Sequence, residues 1–266
     1  MPTLPAEPPA PHEQRRMAES FGVDPARYDR NRPGYPAELV SRVVSLSPGA
    51  DVLDVGCGTG IAARQFQALG CRVLGVDPDA RMADFARSRG LDVEVAAFES
   101  WDAGGRTFDA VTAGQSWHWV DPVAGVARAG QVLRPGGVLA IFNHVFQNPP
   151  EVNAVFAELF PRMFPDSPIR IGAGRDPVAL YQTMFARTAD YIRGEGGFGE
   201  PEQLRFDWAR SYDRAGLFEL MATQGGLTQA PAEKVAEFLA GMDAALAGDS
   251  FVVSYATLAV VAVRGA

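Results

Sequence analysis

The sequence of 266 residues predicts a doubly wound α/β fold built on a mostly parallel sheet of seven strands. Short apolar runs of strand length alternate with segments whose apolar residues have helical spacing. Glycines stand where several predicted helices end, and 47% of the residues are hydrophobic, enough for a sizeable core. Strands joined by helices form right-handed crossovers, which produce a parallel sheet covered on both faces.

The predicted elements follow one another at regular intervals. Gly70 and Gly90 end two of the helices, and Asp121-Pro122 opens another with a capping acid and a proline. The predicted strands cover 51–55, 72–76, 91–95, 108–113, 138–143, 204–208 and 251–263. The predicted helices cover 36–46, 59–69, 79–89, a segment opening at residue 122, 212–221 and 232–246.

The alternation breaks over about 145–202, which holds helical patterns but no clear parallel strand. We interpret this segment as a helical cap inserted after the fifth strand. Residues 1–12 are rich in proline and predict a disordered tail, which leaves a single domain over 13–266.

Composition argues against several kinds of partner. The net charge of -8 disfavours nucleic acid, which is bound by basic surfaces. No apolar run is long enough to cross a membrane, and the first residues lack the pattern of a secretory leader. Cys57 and Cys71 form no metal or disulfide framework. We therefore expect a cytoplasmic protein with reduced thiols and a small-molecule substrate, and leave its oligomeric state open.

A glycine-rich segment, Asp-Val-Leu-Asp-Val-Gly-Cys-Gly-Thr-Gly over 51–60, joins the first predicted strand to a helix. Such a loop lets a ligand approach backbone amides closely. Counting from Gly56, the sixth position is Ile61 rather than the glycine of a dinucleotide fingerprint, and no Gly-Lys-Ser/Thr of a P-loop is present. Both phosphate-binding motifs are thus disfavoured, and a tight turn without a ligand remains the alternative.

Asp77 ends the second predicted strand. A carboxylate there can accept hydrogen bonds from both ribose hydroxyls of an adenosine group. Its alternative role is to cap the following helix, which Asp79 can do equally well. We therefore favour ribose recognition.

Together, the segment 51–60, Asp77 and Val-Leu-Arg-Pro-Gly-Gly over 132–137 resemble class I S-adenosylmethionine-dependent methyltransferases of the small-molecule type, methyltransferase domain 11. The resemblance is strong over 28–143 and loose beyond it. It implies a Rossmann-like methyltransferase fold, S-adenosylmethionine as cofactor and S-adenosylhomocysteine as product.

The resemblance also implies which residues surround the cofactor. Asp54 would orient the glycine loop, residues 97–99 would border the adenine, and Gln115 would approach the methionine part. Arg32 would pair with the cofactor's carboxylate, a surface ion pair being the alternative. The implied cofactor residues are Tyr28, Arg32, Asp54, Gly56, Cys57, Gly58, Thr59, Gly60, Asp77, Pro78, Met82, Ala97, Phe98, Glu99 and Gln115.

A sulfonium makes its methyl group electrophilic, so the protein mainly has to align the acceptor and exclude water. A hydroxyl or weakly acidic carbon acceptor would also need a base. His118 and His144 follow the fourth and fifth strands, whose carboxyl ends face the ligand crevice, and are the candidate bases. The alternatives are a packing motif at Trp117-His118-Trp119 and a polar strand end at His144.

Aromatic residues and arginines in the predicted cap favour an aromatic or anionic acceptor, although arginines on helices are usually solvated. We expect no metal, because no cluster of carboxylates accompanies the predicted crevice. Two other functions fit the same motifs. The fold could catalyse a cyclisation or rearrangement, or it could serve as a noncatalytic cofactor-binding protein.

Overall fold

The structure, a computed structural model, describes residues 15–165, 167 and 176–265. The predicted tail over 1–12 lies outside these residues. The α-helices within them are α1 (Arg15–Ser20), α2 (Pro25–Asn31), α3 (Ala37–Leu46), α4 (Ile61–Ala68), α5 (Ala80–Ser88), α6 (Pro122–Val132), α7 (Pro150–Met163), α8 (Pro177–Glu195), α9 (Arg214–Ala222), α10 (Gly225–Thr228) and α11 (Ala232–Ala245). The strands are β1 (Asp51–Val55), β2 (Arg72–Asp77), β3 (Asp92–Val95), β4 (Phe108–Gly114), β5 (Leu133–Gln147), β6 (Glu202–Asp213) and β7 (Ser250–Val263).

The seven strands form one sheet in the order β3-β2-β1-β4-β5-β7-β6. The first five strands pair in parallel, and β7 runs antiparallel to both of its neighbours. The predicted seven-stranded, mostly parallel α/β fold is confirmed. The order reverses direction between β1 and β4, and open α/β sheets bind ligands at such a switch point.

Local sequence signals explain where several elements begin and end. Gly70 and Gly90 follow α4 and α5 with φ of 86° and 87°, a conformation that glycine adopts without steric cost. The Asp121 side chain accepts from the backbone N–H groups of Val123 and Ala124 at the start of α6. These helix ends match the positions predicted from the sequence.

Three apolar clusters hold the molecule together. One fills the sheet face under α6 and α8, a second fills the face under α3, α4 and α5, and a third joins α7, α9 and α11 to β6 and β7. The helices of the first two clusters cover both faces of the sheet, as a doubly wound fold requires.

The segment interpreted as a helical cap divides into parts with different positions. Residues 145–147 belong to β5, so the strand is longer than predicted. Helix α8 packs against α6 and the sheet, because Val178, Phe185 and Ile192 form one buried face. Helix α7 packs against α11 in the third cluster. Helical periodicity predicted these helices without showing which surface each would cover.

Strand β5 rises above its neighbour β4. Its pairing with β4 ends at Gly114 opposite Phe142, whereas its pairing with β7 continues to Gln147 opposite Ser254. At roughly 3.3 Å per residue, residues 143–147 extend about 16 Å beyond the end of β4. We call residues 143–147 the raised edge; it forms a wall beside the carboxyl ends of the central strands.

Among the described helices, none combines the length and the apolar character that crossing a bilayer would require.

Candidate active site

A cleft of about 520 Å³ opens at the carboxyl ends of β1, β2, β4 and β5. This volume lies in the range of small-molecule sites. Apart from Gly60, every residue predicted to contact the cofactor lines it, and so do His118 and His144. Gly60 is buried instead, with a φ of 84°, and is the residue immediately before α4. The structure thus gathers residues separated by more than a hundred positions into one cleft.

The glycine loop needs its glycines for two different reasons. At Gly56, with a φ of 61°, an added Cβ would lie 2.5 Å from the Cβ of Ser116, so the loop can approach β4 only without a side chain. At Gly58, with a φ of 55°, an added Cβ would meet nothing within 4 Å. Gly56 therefore serves packing, whereas Gly58 leaves space in the cleft.

Asp77 keeps acceptor capacity free after its contacts with the chain. Its Oδ2 accepts from the Gly58 N–H at 2.8 Å, and its Oδ1 accepts from the Asp79 N–H at 2.8 Å. Each carboxylate oxygen has a second lone pair. Helix α5 is capped by Asp79, which accepts from the Arg81 N–H at 2.9 Å. The capping alternative for Asp77 thus loses its main support.

Burial raises the pKa of two carboxyl groups that line the cleft, Asp54 and Asp77. It raises the pKa of Asp77 to about 6, against the lowering effect of the two backbone N–H donors. It raises the pKa of Asp54 to about 7, with the nearby Asp77 charge adding to the rise. Asp54 accepts from the Thr112 hydroxyl at 3.0 Å through Oδ1, while its buried Oδ2 has no hydrogen-bond partner in the described chain.

These features fit the predicted cofactor. Two buried oxygens without a partner in the described chain lie in this loop region: one oxygen of Asp54 and the Thr59 hydroxyl. The region is assigned to the amino-acid part of the cofactor, which carries an ammonium group. Unpartnered buried acceptors are costly and mark sites that a ligand donor satisfies. The spare lone pairs of Asp77 suit ribose hydroxyls.

The adenine end is built from a short 3-10 helix and an aromatic layer. Phe98 is buried and packs near Trp117, with ring centroids 6.3 Å apart. Glu99 accepts from the Asp121 N–H at 2.8 Å, so its carboxylate also ties this turn to α6. Above them, the ring of Phe21 lies 6.4 Å from that of Trp119. Sequence reasoning missed Phe21, because nothing periodic marks the segment around it.

The N-terminal segment closes the cleft from above. We call residues 15–35 the roof; its Ala18, Tyr28 and Arg32 are among the lining residues. Asp29, only 8% exposed, pairs with Arg64 of α4 at 2.6 Å. Arg27 pairs with Glu219 of α9 at 2.7 Å. The roof is thus fastened to both ends of the cleft.

His118 lies in the short 3-10 helix after β4 with its ring 4.5 Å from that of Trp119. Burial lowers its pKa to about 4, so the ring is neutral at pH 7. Its buried Nδ1 has no hydrogen-bond partner in the described residues. A neutral imidazole at the cleft can accept a proton, although its low pKa makes it a weak base.

His144 is held by a short hydrogen-bond chain. Trp208 Nε1 donates to Thr257 Oγ1 at 2.8 Å, and the same oxygen lies 2.9 Å from His144 Nδ1. Thr257 is fully buried, and its own proton finds an acceptor if it is donated to Nδ1. That arrangement leaves the hydrogen of His144 on Nε2, which is buried without a partner in the described chain.

Burial lowers the pKa of His144 to about 3, and the Arg32 charge adds to the effect, whereas the backbone of Gly34 and Pro33 opposes it. The ring therefore stays neutral at pH 7. In the arrangement that satisfies Thr257, it is a hydrogen-bond donor rather than a base. The geometry thus favours His118 over His144 as the proton acceptor.

Gln115 has the sole left-handed backbone of any non-glycine residue in the described chain, with a φ of 59°. Its side-chain Oε1 accepts from the His144 N–H at 2.8 Å, across the gap between β4 and the raised edge. Because a backbone N–H can only donate, this bond fixes the amide orientation and turns the Gln115 NH₂ away from His144. Such strain is typical of functional positions.

The fold, the glycine loop and Asp77 at the switch point together resemble the class I S-adenosylmethionine-dependent methyltransferases. Its residues 53–141 match the methyltransferase domain family. The family resemblance predicted from the sequence is confirmed.

Comparisons with known proteins agree with this class. An uncharacterised methyltransferase of Mycobacterium tuberculosis is 37% identical over 131 residues, which is 48% of this chain and 53% of that protein. The match therefore spans about half the length of that relative. A type II methyltransferase structure from Anaeromyxobacter dehalogenans has a TM-score of 0.61 and 23% identity, covering 86% of this chain and 97% of its own.

A Haemonchus contortus phosphoethanolamine N-methyltransferase 2, solved with S-adenosylmethionine, has a TM-score of 0.52 and 18% identity, covering 93% of this chain and 57% of its own. At these identities the two structures show a shared fold. Within the described residues, no group of three or more His, Cys, Asp and Glu side chains is placed to hold a metal ion.

Proposed function

We propose that this protein transfers the methyl group of S-adenosylmethionine to a small-molecule acceptor bound in the same cleft. The observation that carries the proposal is Asp77, which orders the glycine loop through Gly58, leaves helix capping to Asp79 and retains one lone pair on each oxygen. This arrangement is what recognition of two ribose hydroxyls needs. The Haemonchus neighbour, described as bound to the same cofactor, supports the assignment.

Different residues of the chain would hold different parts of the cofactor. Asp77 would hold the ribose, Asp54 and the loop would hold the amino-acid part, and residues 97–99 would border the adenine. Pro78 and Met82, which also line the cleft, would pack beside the adenosyl group. The bound sulfonium would supply an electrophilic methyl group.

On the acceptor side, the aromatic walls would exclude water and align the accepting atom with the methyl group. His118 would take a proton from the acceptor when that atom is a hydroxyl oxygen. Whether the acceptor atom is oxygen, nitrogen or carbon stays open. An aromatic or anionic acceptor fits the lining residues Phe146, Tyr181 and Arg32.

The first test measures the melting temperature of the purified protein with S-adenosylhomocysteine and, as matched controls, adenosine and ATP. A ligand that binds only the folded state raises the melting temperature with concentration. We expect a rise with S-adenosylhomocysteine that exceeds both controls. No rise at millimolar concentration would refute the proposal.

The second test follows mass in a panel of small acceptors incubated with cofactor carrying a deuterated methyl group. A labelled methyl group on one product supports transfer, and His118→Ala in the same assay tests the base. An isomerised product without cofactor consumption would support the cyclisation alternative. Tight cofactor binding without any product across the panel would favour a noncatalytic binding protein.

A further inference from the structure

Arg32 places a positive charge in the cleft without an acidic partner. Its Nη2 donates to the Thr223 carbonyl, and its Nε is buried without a partner. Its guanidinium carbon lies 5.1 Å from the ring centroid of Tyr28 and 5.2 Å from that of Phe146. Among the described residues it forms no ion pair, so the alternative of a surface ion pair is not found.

Other arginines beside the roof do have carboxylate partners. Arg27 pairs with Glu219, and Arg64 pairs with Asp29. A guanidinium enclosed by aromatic rings loses hydration, and rings and one carbonyl compensate for only part of that loss. An anion beside Arg32 would recover the rest.

The register of the sheet shows at which level of the cleft Arg32 lies. Tyr35 contacts Phe142, the last residue level with β4, with ring centroids 4.6 Å apart. His144 stacks on Tyr35 at 4.5 Å, and Phe146 lies two residues further along β5. Arg32 therefore contacts the raised edge at Phe146, a residue roughly 13 Å along the strand from Phe142.

Charge is distributed unevenly along the cleft. The carboxylates that line it, as far as the chain is described, belong to α1, β1, β2 and the turns that follow β2 and β3: Glu19, Asp54, Asp77, Asp79 and Glu99. Arg32 is the one arginine or lysine in the described lining, and it lies between Tyr28 and Phe146. The carboxylates suit the cationic sulfonium and ammonium, and Arg32 suits an anion.

We propose that Arg32 binds an anionic group of the methyl acceptor, in a subsite walled by Phe146, Tyr181 and His144. The inference rests on the proposed methyl transfer and names the acceptor class: a small molecule with an apolar or aromatic body and a carboxylate or similar anion. The charge of Arg32 also acts across this subsite, since it opposes the burial that raises the pKa of Tyr181.

The test compares two pairs of probes that differ only in charge: 3-phenylpropanoate with 3-phenylpropanamide, and hexanoate with hexanamide. Each is titrated calorimetrically into the full chain saturated with S-adenosylhomocysteine. We expect each carboxylate to bind at least about tenfold more tightly than its amide, as a charge-assisted hydrogen bond implies. No carboxylate preference in either pair would overturn the proposal.

Variants then locate the charge that is responsible. Arg32→Gln should abolish the preference and change the S-adenosylhomocysteine affinity less than about threefold, while Arg32→Lys should retain part of the preference. Arg30→Gln, at an exposed position two residues earlier in α2, is the matched control and should retain all of it. The wild-type comparison of probes remains decisive if the Arg32 variants do not fold.

Decarboxylated S-adenosylhomocysteine separates this proposal from a role in holding the cofactor. If Arg32 binds the cofactor's carboxylate, Arg32→Gln would weaken S-adenosylhomocysteine tenfold or more and leave the decarboxylated analogue unaffected, and our proposal would be wrong. If the wild type binds no S-adenosylhomocysteine at all, the methyl-transfer proposal fails alone. The probe pairs, titrated without cofactor, then still show whether the subsite prefers a carboxylate to an amide.

Discussion

The two ends of the cleft differ in how the chain builds them. The cofactor end comes from a nearly continuous stretch, 54–99, in which each strand and the turn after it supply neighbouring contacts. The proposed acceptor end brings together Arg32, the raised edge and helix α8, whose residues are far apart in sequence. The contrast shows that a local motif can supply most of the proposed cofactor end, whereas the proposed acceptor end depends on long-range packing.

The largest expected effect tests the cofactor end. Asp77→Ala removes the proposed acceptor for both ribose hydroxyls and the partner of the Gly58 N–H. We expect S-adenosylhomocysteine binding to weaken at least about a hundredfold, since two hydrogen bonds to a charged group contribute on the order of 3 kcal/mol. Calorimetric titration measures the change.

Asp84→Ala on the exposed side of α5 is the control and should bind normally. Preferential loss of carboxylate-probe binding in the Asp77 variant, with cofactor affinity intact, would reverse the assignment of the two ends. Asp77→Asn, which keeps the shape of the side chain, separates loss of charge from loss of packing.

The next effect uses the raised pKa of Asp54. An acid whose pKa rises from about 3.8 to about 7 on folding binds its proton more tightly in the folded state, so its contribution to stability falls as pH increases from about 4 to about 7. Asp54→Asn should remove this loss. We expect the unfolding free energy of the variant minus that of the wild type to increase by about 2 kcal/mol from pH 5 to pH 8.

Denaturant unfolding at several pH values gives this difference. The comparison with wild type is necessary because His118 and His144, with lowered pKa values, change stability in the opposite direction over an overlapping range. Subtracting the wild-type value from the variant value at each pH cancels the contribution of the two histidines. A variant-minus-wild-type difference that is independent of pH would show that Asp54 is ionised normally.

The smallest effect separates ligand space from backbone strain. Gly58→Ala and Gly90→Ala both place alanine in a left-handed conformation with nothing within 4 Å of the new Cβ. Each should cost the folded protein about 1 to 2 kcal/mol. Only Gly58→Ala should also weaken S-adenosylhomocysteine binding, by about tenfold. Equal binding by the two variants would place the cofactor away from the loop.

The fold was predictable because its signals are local. The buried-strand pattern at 51–55, the glycines at 70 and 90 and the cap at Asp121 each act within a few residues. The length of β5 was not predictable, since residues 143–147 are strand only through pairing with β7.

The candidate site shows the same difference between local signals, which could be predicted, and long-range packing, which could not. Asp77 and the loop could be identified from spacing alone, whereas Phe21 gave no signal and enters the cleft only because the roof folds back. The different chemistry of the two histidines could not be anticipated either. It depends on Thr257 and Trp208, which meet His144 across three strands of the sheet.

The raised edge carries a consequence for how this protein can diversify. Side chains of a strand alternate between its faces, so His144 and Phe146 both face the roof side while Val145 packs into the opposite core. Two positions can therefore be exchanged without changing the length of any loop or the pairing that supports the sheet. We expect acceptor preference to vary among relatives through these alternate positions while cofactor recognition stays constant.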